Sequence, residues 1–588
     1  MRLSFLGPLV AAVLALANNT PSATQGSFVT AQGNQFHVNG SEFRWIGTNA
    51  YWLPTLNTEQ DIIDTLSNMS AAGITVVRTW AFNDVEAIPV NGTWFQLIAN
   101  GTTTVNTGPN GLQKLDMVIK HAERFGIYVV LSLSNNWNPR PLFDELTTAI
   151  DDLTNTVESR DLHRRDVTPG TNNSLPRNFL SNDYGGMDVY VRQFGSGTLA
   201  HDDFYLNETL INAFENYTKQ VVTRYVNSTA VFSWEIANDP RCSSSIPASP
   251  VCSTTTVTTW HSRIAQHIKS IDPNHLVSSG NQGFFCPDCP KLFQRNTPVP
   301  QPSPAPGQRR QDVPAPLTKK SIIQERVARW KKTRAAAPRK EGGVQIRGRW
   351  VSTPTRRQAD TSVGSAFDGS QGVDSEDIIN IPQIGFSTFQ LFPDQNIYGV
   401  FDPNLPDFNN TVDLGNRWIT LHAQAGQRVN KPVALTGFGL VTQDNLPFFV
   451  PFNVSTAPFA NDTTSSQGFG ASSAPVTSNQ TVGVTNEQQV DAYSQWLNTG
   501  IVNGLQGMMQ YQWGQSGLTN QGGTTISPNI NSTTTSPNQD ETGQSPNDGY
   551  SSQSPIICAE CTSERDSANF KLLLRRNKEK FQWTFDDW

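Results

Sequence analysis

Charge is scarce in this chain. Only 16% of its 588 residues are Asp, Glu, Lys or Arg, and 43 Lys+Arg against 50 Asp+Glu leave a net −7. So low a charge content is unusual for a cytosolic protein and common in secreted, glycosylated ones, and so mild an acidic balance implies no nucleic-acid partner. Long apolar runs are also missing. After the first 17 residues no stretch of 18 or more apolar residues follows, so the mature chain is expected to be soluble, with no membrane partner. Hydrophobic residues are not lacking: at 37%, with 10% aromatics, they fill a sizeable core and exclude global disorder. The length exceeds one minimal domain, although α/β barrels run to ~250 residues or more as one unit. Fourteen tryptophans supply flat aromatic faces of the kind on which sugar rings stack.

Residues 1–17 read as a secretory signal, with Arg2 as the basic start, Leu3 to Leu16 as the apolar stretch and Ala15-Leu16-Ala17 as the cleavage motif. Asn-x-Ser/Thr sequons are dense afterwards and include Asn39, Asn68, Asn91, Asn100, Asn207, Asn216, Asn227, Asn453, Asn461 and Asn479. Together they point to an extracellular, sugar-coated protein. The six cysteines fit an oxidising compartment. Cys242 and Cys252 flank a Ser/Pro-rich loop, while Cys286/Cys289 and Cys558/Cys561 are C-x-x-C pairs. Two such pairs could hold zinc, but their wide separation favours disulfides that pin loops. No metal, nucleotide or redox cofactor is implied.

Short apolar, β-rich runs alternate with amphipathic helical stretches. The expected strands are Phe43–Tyr51, Thr75–Phe82, Tyr128–Asn135, Val231–Asn238, His275–Gly280, Ile384–Phe392, Pro432–Phe438 and Leu505–Trp513. Helices are expected at Thr58–Ala72, Leu112–Phe125, Glu208–Tyr225, Val257–Ile271, Val412–Ala425 and Glu487–Leu497. This is the rhythm of an α/β fold, a (β/α)8 TIM barrel spanning residues 27–515, and uninterrupted apolar strands fit a parallel sheet buried on both faces. Two insertions, 138–182 and 290–361, break it, and 516–588 form a low-complexity, disordered tail with a charged end. Residues 291–360 carry 17 Lys+Arg against 4 Asp+Glu, a net +13 that leaves −20 for the remainder. That segment reads as a solvated, disordered insertion; its dibasic pairs alternatively suggest a processing site or an anchor for acidic wall material.

Catalytic residues of such barrels sit at the C-terminal ends of the strands. Those ends carry Arg78 and Trp80, then Asn135-Asn136-Trp137, then Asn238-Asp239-Pro240. An arginine, an Asn–acid pair and indoles at a barrel mouth suit a sugar site; the plainer alternative is that Arg78 only neutralises a buried acid.

The chain resembles the fungal endo-1,4-β-mannosidases of glycoside hydrolase family 5. The likeness rests on Gly47-Thr-Asn49-Ala-Tyr-Trp52, Val77-Arg78-Thr-Trp80-Ala-Phe82, Asn135-Asn-Trp137, the stretch from Tyr184 to Phe194 and, most specifically, Val231 to Cys242. The resemblance implies a secreted monomer acting on β-mannan or another β-glycan by retaining hydrolysis. That chemistry uses two glutamates ~5–5.5 Å apart, one acid/base and one nucleophile. Carried over residue by residue, Arg78 and Asn238 remain, Asp239 takes the acid/base position and Gly437 leaves the nucleophile position vacant. Residues 414–443 hold no Asp or Glu, and neither do 492–539. By the same resemblance the substrate-binding set is Trp80, Asn136, Trp137, Gln390, Phe392, Tyr511 and Trp513. Here too the chain departs from the family pattern, as Gln390-Leu391-Phe392 replaces His-x-Tyr, and Tyr511 stands for a Trp. The losses fall on proton and nucleophile work while the scaffold is kept. Three readings follow: an active β-mannanase or related β-glycanase, slow or inverting, with Asp394 as base in the inverting case; a glycan-binding pseudo-enzyme; or a structural wall or precursor protein.

Overall fold

The computed structural model describes residues 26–89, 91–139, 177–195, 199–293, 314–336, 344–346, 349–351, 362–452, 483–520 and 543–551. The expected signal segment, Cys558/Cys561, the sequons at Asn453, Asn461 and Asn479 and the charged end lie outside the described residues.

Eight parallel strands form the barrel: β1 (Trp45–Asn49), β2 (Val76–Trp80), β3 (Tyr128–Ser132), β4 (Val231–Glu235), β5 (Leu276–Ser278), β6 (Ser387–Leu391), β7 (Val433–Phe438) and β8 (Gly507–Gln510). Each pairs with its neighbour in chain order except β5 and β6, which end the sheet, and β8 pairs with β1. Closure between β5 and β6 comes from the Ser278–Phe386 bridge and from Gly385 N donating to Val277 O at 2.8 Å. Strands β2, β4, β6 and β7 are buried along their whole length, and polar members such as Arg78, Glu235, Gln390 and Thr436 find their hydrogen-bond partners inside the protein. The outer helices are α1 (Glu59–Ala71), α2 (Leu112–Arg124), α3 (Met187–Phe194), α4 (Glu208–Tyr225), α5 (Thr254–Ile271), α6 (Lys319–Ala336), α7 (Asp407–Val429) and α8 (Asn486–Val502). Their ends follow local chemistry. Thr58 and Asp61 make a reciprocal capping box before α1, Thr485 and Gln488 do so before α8, and Asn430 ends α7 at φ 54°.

An N-terminal antiparallel sheet over Thr30–Glu42 closes the bottom of the barrel. Phe36 is fully buried there, edge-on to Phe232 (5.1 Å) and Phe386 (5.0 Å) and stacked with Trp45 at 6.4 Å. Gly507 on β8 lets the Trp45 ring lie against the strand, since a Cβ there would sit 2.1 Å from the ring.

Both disulfide readings hold where the chain is described: Cys242 bonds Cys252 and Cys286 bonds Cys289. The irregular segments are partly built into the fold, which corrects the expectation for 290–361. Within that insertion α6 docks on the barrel through Ile322, 2% exposed, and through Glu325 accepting from Arg417 at 2.9 Å. Within the tail, residues 543–551 pack against the barrel mouth, where Tyr550 is 2% exposed. Phe36→Ala removes the keystone of the bottom layer and is expected to cost ~3–5 kcal/mol, read as a lower denaturant midpoint.

Candidate active site

The strand order brings the ends of β1, β2, β4, β6, β7 and β8 together around Arg78, which is 3% exposed. Its guanidinium donates through Nη1 to Asn49 Oδ1 (3.0 Å), through Nε to both Glu235 oxygens (3.1 Å each) and through Nη2 to Glu235 and to Asn238 Oδ1 (2.8 Å). Glu235 is fully buried and also accepts from Ser132 Oγ at 2.8 Å. Gln390 Nε2 donates to Asn238 Oδ1 at 3.0 Å, and Asn238 Nδ2 donates to Asn135 Oδ1 at 2.8 Å. Arg78 therefore neutralises a buried acid, and its donors are largely spent on protein partners.

Asp239 is 2% exposed and held on three sides. Arg241 clamps it, Nε to Oδ1 at 3.1 Å and Nη2 to Oδ2 at 2.5 Å, and the Trp137 indole donates to Oδ2 at 2.8 Å. The Arg241 guanidinium lies between two rings, 5.1 Å from Trp137 and 4.9 Å from Phe284. The backbone at Asp239 adopts φ 54°, uncommon for a residue with a side chain. Both carboxylate oxygens are thus engaged by protein donors, and neither is turned toward a ligand.

Gly437, on the last turn of β7, has no side chain to offer, and the space above it is taken. A Cβ there would sit 3.2 Å from Phe392 Cζ. Phe392 belongs to an aromatic group with Tyr511 (5.4 Å), Tyr550 (5.3 Å) and Phe452 (5.7 Å). The tail segment is tied in by polar contacts as well: Tyr511 OH donates to Asp548 at 2.7 Å, Gln512 Nε2 to Asp548 at 3.0 Å, and Gln395 Nε2 to the Tyr550 hydroxyl at 2.9 Å.

The remaining sequence-predicted residues fall into place around this arrangement. Trp80 is buried beneath Arg78, 4.8 Å from its guanidinium, and donates to Ser181 O at 3.1 Å. Asn136 is fully buried, with Oδ1 facing His201 Nε2 (2.9 Å) and Arg241 N (3.2 Å), so it braces the loop rather than lining open space. Gln390, Phe392, Trp137 and Tyr511 are buried, whereas Trp513 is half-buried. Asp394 accepts from Val441 N at 2.9 Å, and burial pushes its carboxyl up to about 7. Sequence reasoning missed Arg241, Glu235 as the partner of Arg78, and Tyr550 with Asp548. The first two carried a legible signal, charge at fixed offsets from Asp239; the tail residues carried none.

A family model described as GH family 5 beta-mannosidase-like matches residues 26–298. The chain is 28% identical over 443 residues to mannan endo-1,4-beta-mannosidase A of Aspergillus aculeatus, covering 75% of this chain and 81% of that protein. To a probable mannan endo-1,4-beta-mannosidase A-2 of Aspergillus terreus it is 34% identical over 430 residues, 73% of this chain and 74% of the relative. The chain belongs to the β-mannosidase-like glycoside hydrolases of family 5. An endo-1,4-beta-mannanase from Rhizomucor miehei superposes with a TM-score of 0.53 at 23% identity, over 93% of this chain and 100% of that one, and so shares the fold. At the mouth of this barrel two ion pairs and an aromatic group occupy the centre.

One consequence is a pH dependence. Burial pushes the Asp548 carboxyl from 3.8 up to about 6, against the hydrogen bonds from Tyr511 and Gln512 that pull it down. A carboxyl whose pKa is raised on docking binds its proton more readily in the docked state. The segment's stability is therefore complete below pH ~4 and declines as pH rises through ~6. Melting temperatures measured from pH 4 to 7 are expected to fall less steeply in Asp548→Asn than in the parent.

Proposed function

We propose that this protein is a secreted β-mannan-binding member of its family that does not carry out retaining hydrolysis. The observation that carries this reading is the state of the two positions that the chemistry needs. Asp239 is clamped by Arg241 and Trp137, and Gly437 offers no carboxylate beneath Phe392. Removing one member of a catalytic pair ordinarily costs several orders of magnitude in rate, and here both are compromised. Mannan enters as the ligand because the relatives are named for it and because the scaffold around the mouth is kept. The half-buried Trp513 at the end of β8 is the aromatic surface that the arrangement leaves for a sugar ring.

The chain is proposed to act outside the cell as a monomer, with a signal at residues 1–17, one barrel domain over 27–515 and a tail over 516–588. The sequons at Asn39, Asn68, Asn91, Asn100, Asn207, Asn216 and Asn227 are all exposed, as acceptor sites must be. Among the described residues no helix is long and apolar enough to cross a membrane. A second reading, inverting hydrolysis with Asp394 as base, draws on the raised pKa of that carboxyl. It is disfavoured because the acid it would need, Asp239, is held in its ion pair.

Titration calorimetry of the purified protein with a soluble β-mannan tests the proposal. Saturable binding is expected, weakened about tenfold, or ~1.4 kcal/mol, in Trp513→Ala. The absence of binding to any β-glycan tried would refute it.

A further inference from the structure

Positive charge that the mouth does not use is concentrated on α6. Its 18 residues include seven Lys or Arg and a single Glu. Docking takes up three of these side chains. Glu325 accepts from Arg417 (2.9 and 3.2 Å), Arg326 donates to Ser362 O at 2.7 Å and lies over Trp330, and Arg329 pairs with Asp413. Ile322, with Leu317 just before the helix, anchors the inner face. The helix is thus fixed in place, and Lys319, Lys320, Lys331, Lys332 and Arg334 are left exposed, with no ion pair among the described residues.

This pattern works against the helix that carries it. Lysines in the first turn oppose the positive end of the helix dipole, and no acid stands there to offset them. Lys331 and Arg334, three residues apart, repel each other. A merely solvated helix would interleave acids with these cations, and the one acid here is turned toward Arg417. Beside Lys319 and Lys320 lies a depression of about 510 Å³, lined also by Asp288, Thr318, Ile323 and Gln324. The wall of the depression is chiefly apolar, which suits the face of a sugar ring, and cations with a carboxylate and an amide at its edge suit the acidic groups and hydroxyls of an acidic saccharide.

We propose that this end of α6 and the adjoining depression form a binding site for an acidic polysaccharide, a uronic acid polymer. The ammonium groups of Lys319 and Lys320 take its carboxylates, and Asp288 and Gln324 take its hydroxyls. Lys331, Lys332 and Arg334 continue the contact about 16 Å further along the helix axis, a distance that a polymer bridges and a free sugar acid does not. The site is separate from the barrel mouth and does not depend on the mannan reading, since neutral mannan offers these cations nothing to pair with.

Affinity electrophoresis of the full-length protein in gels containing polygalacturonate, with galactomannan gels in parallel, tests the proposal. The parent is expected to be retarded by polygalacturonate, less so as salt is raised. Lys319→Gln/Lys320→Gln should weaken that retardation by about fivefold or more, the order expected for two exposed ion pairs. Lys331→Gln/Lys332→Gln should weaken it less, and neither pair should alter retardation by galactomannan. The proposal is overturned if the parent migrates freely, if both double variants behave like the parent, or if both lose equally, which would reduce the effect to undirected charge. Binding to vesicles of anionic phospholipid as strong as to polygalacturonate would likewise overturn it.

Discussion

A charge withdrawn from water must find a partner, and at the mouth of this barrel that rule decides the rest. Arg78 and Glu235 are both essentially inaccessible, so each is tenable only because the other is there. Their pairing fixes the side chains around them. Asn49, Asn238, Ser132 and Gln390 have hydrogen bonds left to make and make them to the pair or to one another. The floor of the site is a closed polar network whose donors and acceptors are turned inward, which gives it rigidity at the expense of free groups to present to a ligand.

The same rule acts a second time one level up. Asp239 sits above the floor and would be a costly buried anion without Arg241, two residues on, whose guanidinium is in turn held between Trp137 and Phe284. The sequence thereby ties Asp239 into an ion pair within its own loop. On the opposite side Gly437 carries no side chain, and Phe392 lies above it, packed in turn on Tyr550 from the tail. In this family 5 barrel the centre of the mouth is held by packing and internal charge balance.

Much of this was legible in the sequence. Each of the eight strands falls within its expected run, because a parallel strand buried on both faces reads as a short, largely apolar run with little alternation. The helix over Glu208–Tyr225 has the bounds that its periodicity predicts. The absence of acids around Gly437 was equally plain. Contacts between distant segments were not. Nothing in the sequence places Phe392 over Gly437, or brings Tyr550 and Asp548 back from a Ser/Asn/Gly/Pro-rich tail onto Tyr511. Helix α6 was hidden for a different reason: seven cations are spread among its few apolar residues, and its docking relies on Ile322 and ion pairs to Arg417 and Asp413.

The most direct test of this account is product analysis of purified protein incubated with mannohexaose, beside a Gly437→Glu/Asp239→Glu variant and the same variant with Arg241→Ala to release the clamp. The account predicts no cleavage by the parent, and any recovered activity only where the clamp is removed and both carboxylates are restored. Cleavage by the parent that persists in Asp239→Ala would mean that another carboxylate does the chemistry, and would contradict it.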